Sequence, residues 1–269
     1  MKSLSSLLIT SALIAASTTA SAALVAGDIA LVGFQASGSP NDSFSFATLV
    51  NVDAGTVLYF TDNGFTTGTG FRGVTNGPPA DNDGSEGLVK YTVGASGLAA
   101  GEVVSSLSTN TAKGAWTLSG LVYGTTVGSG SYAPLSFAAT GGEQFTVFTS
   151  SNVQPMLSGY TALYNFDNSG AYEAATTSNS GQLAPGLVQG TSAVLLNNMT
   201  NSFQNFNFAA FSGPADRATW LARIGNAANW TFASVTTNVA DGSFSVGAVP
   251  SPGAVALIGL AGLVARRRR

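Results

Sequence analysis

Short runs of β-branched and aromatic residues, each cut off by glycine-rich turn chemistry, do most to narrow the folds open to this chain. The segments DIALVGF (Asp28 to Phe34), SFSFATLV (Ser43 to Val50) and TVLYFTD (Thr56 to Asp62) are separated by SGSPND and DAG, which reverse a chain rather than prolong a helix. In SFSFATLV, Phe44 and Phe46 alternate with Ser43 and Ser45, predicting a strand with one buried face. GTVLYF is more continuously apolar and predicts a central strand. Similar runs recur as EGLVKYTV, GEVVSSL, GAWTLSG, GEQFTVFTS, YTALYNF, SAVLLNN, FNFAAF and NWTFASV. About ten short strands spaced by turns predict an all-β fold, a β-sandwich or jelly-roll-like body, with the strand pairing open.

One stretch departs from this pattern. SGPADRATWLARIGN places Pro214 where a first helical turn tolerates it, Trp220, Leu221 and Ile224 at helical spacing, and Gly225 as a stop. It predicts one short helix of about ten residues, with Trp220 packed onto a sheet edge or end. The segment Gly68 to Gly87 is rich in Gly, Pro, Asn and Asp and predicts a long exposed loop, and Val246 to Pro252 a linker. No internal repeat of fixed period is present.

The two ends differ from the body. The start has Lys2, an apolar stretch from Leu7 to Ala16 and a small-x-small pattern at Ala20-Ser21-Ala22, which predicts a secretory signal peptide over 1–22, cleaved between Ala22 and Ala23. From Gly253 to Ala265 no residue is charged, and four arginines follow. As a helix this stretch would rise about 20 Å, short of a hydrocarbon core of roughly 30 Å. It predicts a marginal transmembrane segment with its arginines on the cytoplasmic side. The expected organisation is therefore a signal peptide (1–22), a β-sandwich domain (23–247) and a C-terminal tail (248–269).

Composition and charge limit the functions. With no cysteine and no histidine, disulfides, thiolate metal sites, Ser-His-Asp triads and Cys nucleophiles are excluded. Setting aside Lys2 and Arg266 to Arg269, the body carries Arg72, Lys90, Lys113, Arg217 and Arg223 against thirteen acids, a net charge of −8. Nucleic acid binding, which needs clustered cations against phosphate, is not expected.

Pro250-Ser251-Pro252, an apolar stretch containing Gly259 and Gly262, and Arg266, Arg267, Arg268 and Arg269 together resemble the PEP-CTERM sorting signal of Gram-negative bacteria. Ser251 stands where that family usually has Glu. The resemblance implies an exosortase-type membrane enzyme as partner, transient engagement of the inner membrane, and delivery to the cell surface or an exopolysaccharide matrix. A second resemblance covers roughly residues 26–235. GDIALVGF, AGTVLYFTDNGF, SEGLVKYT, GGEQFTVF, LAPGLVQGTSAVLL and NAANWT occur in the order of a β-rich domain of bacterial secreted proteins. It implies an architecture and a setting but no activity.

The clearest ligand-like cluster is DNDGSEG, where Asp81, Asp83 and Glu86 offer hard oxygen ligands around a glycine, as calcium requires. Asp62, Asn63 and Asp28 would join it if the strand ends converge. The same residues are also ordinary turn formers. Glu86, Glu102, Glu143 and Glu173 are the glutamates from which a glycosidase pair would be drawn. Trp116, Trp220, Trp230, Tyr123, Tyr132 and Tyr160 would supply a sugar-stacking platform, against the simpler reading that most rings are core. Asn198 and Asn229 begin N-x-T triplets and read as structural. Together these point to a secreted, non-enzymatic surface or matrix protein with a structural or adhesive role. Calcium-assisted carbohydrate binding and carboxylate-dependent glycoside hydrolysis are the alternatives.

Overall fold

The computed structural model describes residues 23–36, 42–68, 70–72, 87–117, 135, 137, 142–152, 156, 158–173, 181–197, 203–233 and 241–247. Within them the fold is all-β with one short α-helix. The strands are β1 (Ile29–Gln35), β2 (Ser43–Thr48), β3 (Val57–Thr61), β4 (Phe65–Thr66), β5 (Gly70–Phe71), β6 (Leu88–Val93) and β7 (Glu102–Ser105). They continue as β8 (Gly114–Thr117), β9 (Gln144–Ser150), β10 (Tyr160–Asp167), β11 (Ala193–Leu195), β12 (Phe203–Phe206), β13 (Trp230–Ala233) and β14 (Gly242–Ser243), with α1 spanning Arg217–Ile224.

Two six-stranded sheets result, in the orders β13-β12-β1-β2-β7-β14 and β11-β10-β9-β3-β6-β8. Every described pairing in the first is antiparallel, and in the second only β10 with β11 is parallel. β3 lies inside its sheet between β9 and β6, as its continuous apolar run predicts. The sheets meet across a layer of aromatic rings. Phe34 stacks on Phe166 at 4.8 Å, Phe44 lies 4.9 Å from Phe60 and 4.7 Å from Phe145, and Phe46 is 5.3 Å from Tyr91. Each ring of this size contributes about 1.5–3 kcal/mol on leaving water, so the layer is a main source of cohesion.

Burial is more extensive than alternation predicts. Ser43 and Ser45 are as deeply buried as Phe44 and Phe46, so β2 is covered on both faces. Of the two, Ser43 Oγ donates to Gln35 Oε1 of the neighbouring strand at 3.1 Å, whereas Ser45 Oγ is buried with no hydrogen-bond partner among the described residues. The outer face of the second sheet carries a smaller core in which Phe65, Phe71, Leu88, Phe148 and Met156 pack together. Phe71 is buried, and β4 pairs with β5, so the start of the predicted exposed loop is instead a hairpin folded onto the sheet.

The segment FNFAAF is not one strand. β12 ends at Phe206, and Phe208–Ala210 form a 3-10 turn. Three residues per turn place Phe208 and Phe211 on one side, both against Phe206 at 4.8 and 5.6 Å. Helix α1 is eight residues long and begins later than Pro214 suggests. Ala215 is engaged with the chain at Val246 and Gly247, and Asp216 caps the helix by accepting the Thr219 N–H at 2.7 Å. Trp220, Leu221 and Ile224 are its buried face. The pairing of Ala215 with Val246 also carries the folded body through Gly247, where a linker was expected.

No helix among the described residues is long and apolar enough to cross a membrane. At eight residues, α1 rises only about 12 Å. The expected transmembrane tail, the PEP-CTERM sorting signal that needs it, and an exosortase partner engaging the inner membrane are corrected on this ground. Pro250, Ser251, Pro252 and Arg266 to Arg269 lie outside the described residues, as does Ala22, and Ala23 is the first residue described.

Candidate functional site

The strand directions sort the polar residues into two ends of the second sheet. β3 and β10 finish, and β6 and β9 start, at the same end, which gathers Asp62, Asn63, Gly87, Glu143, Gln144, Asp167 and Asn168. All the side chains in this set are buried. Asp62 Oδ1 accepts the Gly87 N–H at 2.5 Å, and Asn63 Nδ2 donates to Thr61 Oγ1 at 2.8 Å and to the Gly87 carbonyl at 3.1 Å. Gln144 Oε1 accepts the Phe65 N–H at 2.9 Å, tying the β4–β5 hairpin to the same end. Asp167 Oδ1 accepts both the backbone and hydroxyl of Ser169, and Asn168 Oδ1 accepts the Glu143 N–H at 2.6 Å. These are the bonds that buried strand ends require, and they commit carboxylates and amides to holding turns.

The predicted ligands fall into three groups. Asp81, Asp83 and Glu86 lie outside the described residues. Asp62 and Asn63 do converge on Gly87, the residue after Glu86. Asp28 does not join them, because Leu49 N donates to its carbonyl at 2.8 Å and Ile29 pairs with Thr48, at the far end of the body. There Asp28 Oδ1 pairs with Arg217 Nη2 at 2.9 Å, and Asp28 Oδ2 accepts the Val25 N–H at 2.8 Å. Arg217 also donates to the Ala26 carbonyl at 2.7 Å, so the pair fastens α1 to the turn before β1. Among the described residues no three Asp or Glu side chains are grouped as a metal ion needs.

The other candidates resolve similarly. Glu102 begins β7 at the Asp28 end, whereas Glu143 is buried at the Asp62 end, so these two glutamates do not face one another across a cleft. Glu173 is exposed, and Glu86 lies outside the described residues. Trp220 and Trp230 are buried, with their indole N–H groups donating to Ser245 O at 2.9 Å and Ile224 O at 2.8 Å. Trp116 packs against Tyr91 at 4.7 Å, while Tyr123, Tyr132 and Asn198 lie outside the described residues. Asn229 donates its amide to the Arg223 carbonyl at 2.8 Å, which makes it a structural residue. Burial pushes the phenol of Tyr164 well above its ordinary value, with Tyr172 adding to the shift, and raises Tyr91 likewise, helped by Asp241 and Glu102.

Sequence reasoning missed a groove at the Asp28 end. The connections β2 to β3 and β6 to β7 both pass from one sheet to the other there, and they are zipped by reciprocal hydrogen bonds of 2.8 Å between Val52 and Leu98. Between them opens a groove of about 320 Å³ lined by Asn51 to Ala54 and Ala95 to Ala99. Its two walls are the DAG turn, Asp53 to Gly55, and the segment Ala95 to Gly97, and nothing local in either marks a groove.

No family model matches the chain, and neither a curated protein nor a solved structure matches it. The resemblances to the PEP-CTERM signal and to the GDIA, FTDN and NWT domain therefore find no support, and what is established is that the described residues form an all-β fold with one short α-helix near their C-terminal end.

Proposed function

We propose that this is an exported bacterial protein with a structural or adhesive role in the cell envelope or extracellular matrix, built as a β-sandwich or jelly-roll-like shell and not an enzyme. The observation that carries the reading is how the polar residues are used. Asp28, Asp62 and Asn63, the described side chains with the best claim to chemistry, are spent on fastening turns and a helix around an aromatic interior. The leader-like pattern of Lys2, Leu7 to Ala16 and Ala20-Ser21-Ala22 supports export, and the absence of cysteine leaves cohesion to core size. Expression with the native N-terminus in a Gram-negative host, followed by fractionation and N-terminal sequencing, tests it. The expected product starts at Ala23 outside the cytosol; intact chain confined to the cytosol would overturn the proposal.

A second reading, calcium-assisted carbohydrate binding, is favoured by one observation. Asp62 meets Gly87, the last residue of the acidic segment DNDGSEG, which puts one buried carboxylate next in space to the end of that segment. Calcium at millimolar concentration should then raise the thermal midpoint, because a ligand that binds only the folded state stabilises it by mass action. An unchanged midpoint discards the metal.

A further inference from the structure

We propose that the groove between the two sheet-crossing loops is a binding site for a single sugar residue, held through its hydroxyl groups without a metal. Its shape is fixed before any ligand arrives. The Val52–Leu98 hydrogen bonds close its floor, with both side chains buried. Gly97 at φ +67° brings the second loop so close that a Cβ there would sit 2.8 Å from the Val52 carbonyl oxygen. Ala100 N donates to Asn51 Oδ1 at 2.9 Å and Gly55 N to Val93 O at 2.9 Å, anchoring the far side of each loop. Loops tied down in this way need little further ordering on binding, which lowers one of the costs of association.

The polar groups at the groove match a hydroxyl-rich ligand. Asn51 Oδ1 is already occupied, so its Nδ2 is the group that remains to donate. Asp53 is exposed, and its carboxylate can accept two hydrogen bonds from adjacent hydroxyls. Ser96 donates its hydroxyl to the Ala112 carbonyl at 2.9 Å, leaving its oxygen lone pairs as acceptors. Sugar hydroxyls both donate and accept, and this mixture of one donor and several acceptors serves them better than a simple anion or cation. The volume of about 320 Å³ sits at the small end of ligand sites, enough for one ring and not for an extended chain. Ala54, Ala95 and Ala99 keep the walls low, and no aromatic ring lines the groove. Affinity for one residue is therefore expected in the millimolar range, raised where several copies of the chain engage one polysaccharide together.

The source of the sugar rests on the adhesive reading above, whereas the site itself rests only on the groove. Amide-resolved NMR titration of the folded body with methyl glycosides of common hexoses, hexosamines and deoxyhexoses, in the presence of a chelator, separates the two. Binding should shift Asn51, Asp53, Ser96 and Gly97 amides in a saturable manner. Asp53→Asn should weaken it by roughly threefold or more, since a charge-assisted acceptor becomes a neutral one. Ala54→Trp, at an exposed position, should abolish it while the remaining spectrum is retained. No saturable shift in this groove for any glycoside, or undiminished binding in both variants, overturns the site whatever the protein's location proves to be.

Discussion

Asp28 is 7 % exposed and carries its charge at the edge of the core, where it is tolerated because Arg217 and the Val25 N–H both reach it. Arg217→Ala should destabilise the fold by roughly 1–3 kcal/mol in urea titration, less than a fully buried pair would show because the arginine is partly wet. Asp28→Asn combined with Arg217→Met should recover part of that loss, since no uncompensated charge is left behind. The buried phenols make a second prediction at this scale. The folded state raises the Tyr164 and Tyr91 pKa values above those of the unfolded chain, so it favours the neutral form. Their contribution is fully present below about pH 10 and is lost as pH rises beyond it, because the unfolded chain then releases protons that the folded one retains. Ultraviolet titration should show part of the tyrosine signal ionising only together with alkaline unfolding. The ion pair was not legible in the sequence, where Asp28 read as a candidate calcium ligand at a strand start and Arg217 lies far along the chain. An ion pair between distant residues has no local signature.

At the scale of elements, pattern and structure agree where burial is one-sided and part where it is not. The run GTVLYF gave a central strand and RATWLARI a helix, because an apolar run and a helical stripe are local properties. The Phe and Ser alternation of β2 gave its strand but not the burial of both faces, since serine looks solvent-facing until a partner such as Gln35 is known. FNFAAF misled because aromatic spacing of two and then three residues suits a strand followed by a 3-10 turn as well as one strand. Phe44 meets Phe60, Phe145, Phe137 and Trp116, so Phe44→Ala should cost about 3–5 kcal/mol, read from denaturant midpoints. Gly97→Ala tests the loop. It must strain a left-handed backbone and displace the Val52 carbonyl, and about 1–3 kcal/mol of stability should go with it.

For the whole molecule, the pairings join distant parts of the chain: β1 with β12, β2 with β7, and β3 with β9. Loop closure must precede such contacts, so refolding after denaturant dilution should take milliseconds to seconds rather than microseconds, measurable by stopped-flow tryptophan fluorescence. The all-β class was readable from turn chemistry, while the order of the strands and the groove were not, because both depend on which connections change sheets. Those two connections have a mechanical consequence. Stitched together through Val52 and Leu98, they act like the spine of a book whose covers are the sheets. Solvent prying the covers apart must enter from the fore-edge, and the amide hydrogens of Val52 and Leu98 should be among the last to exchange.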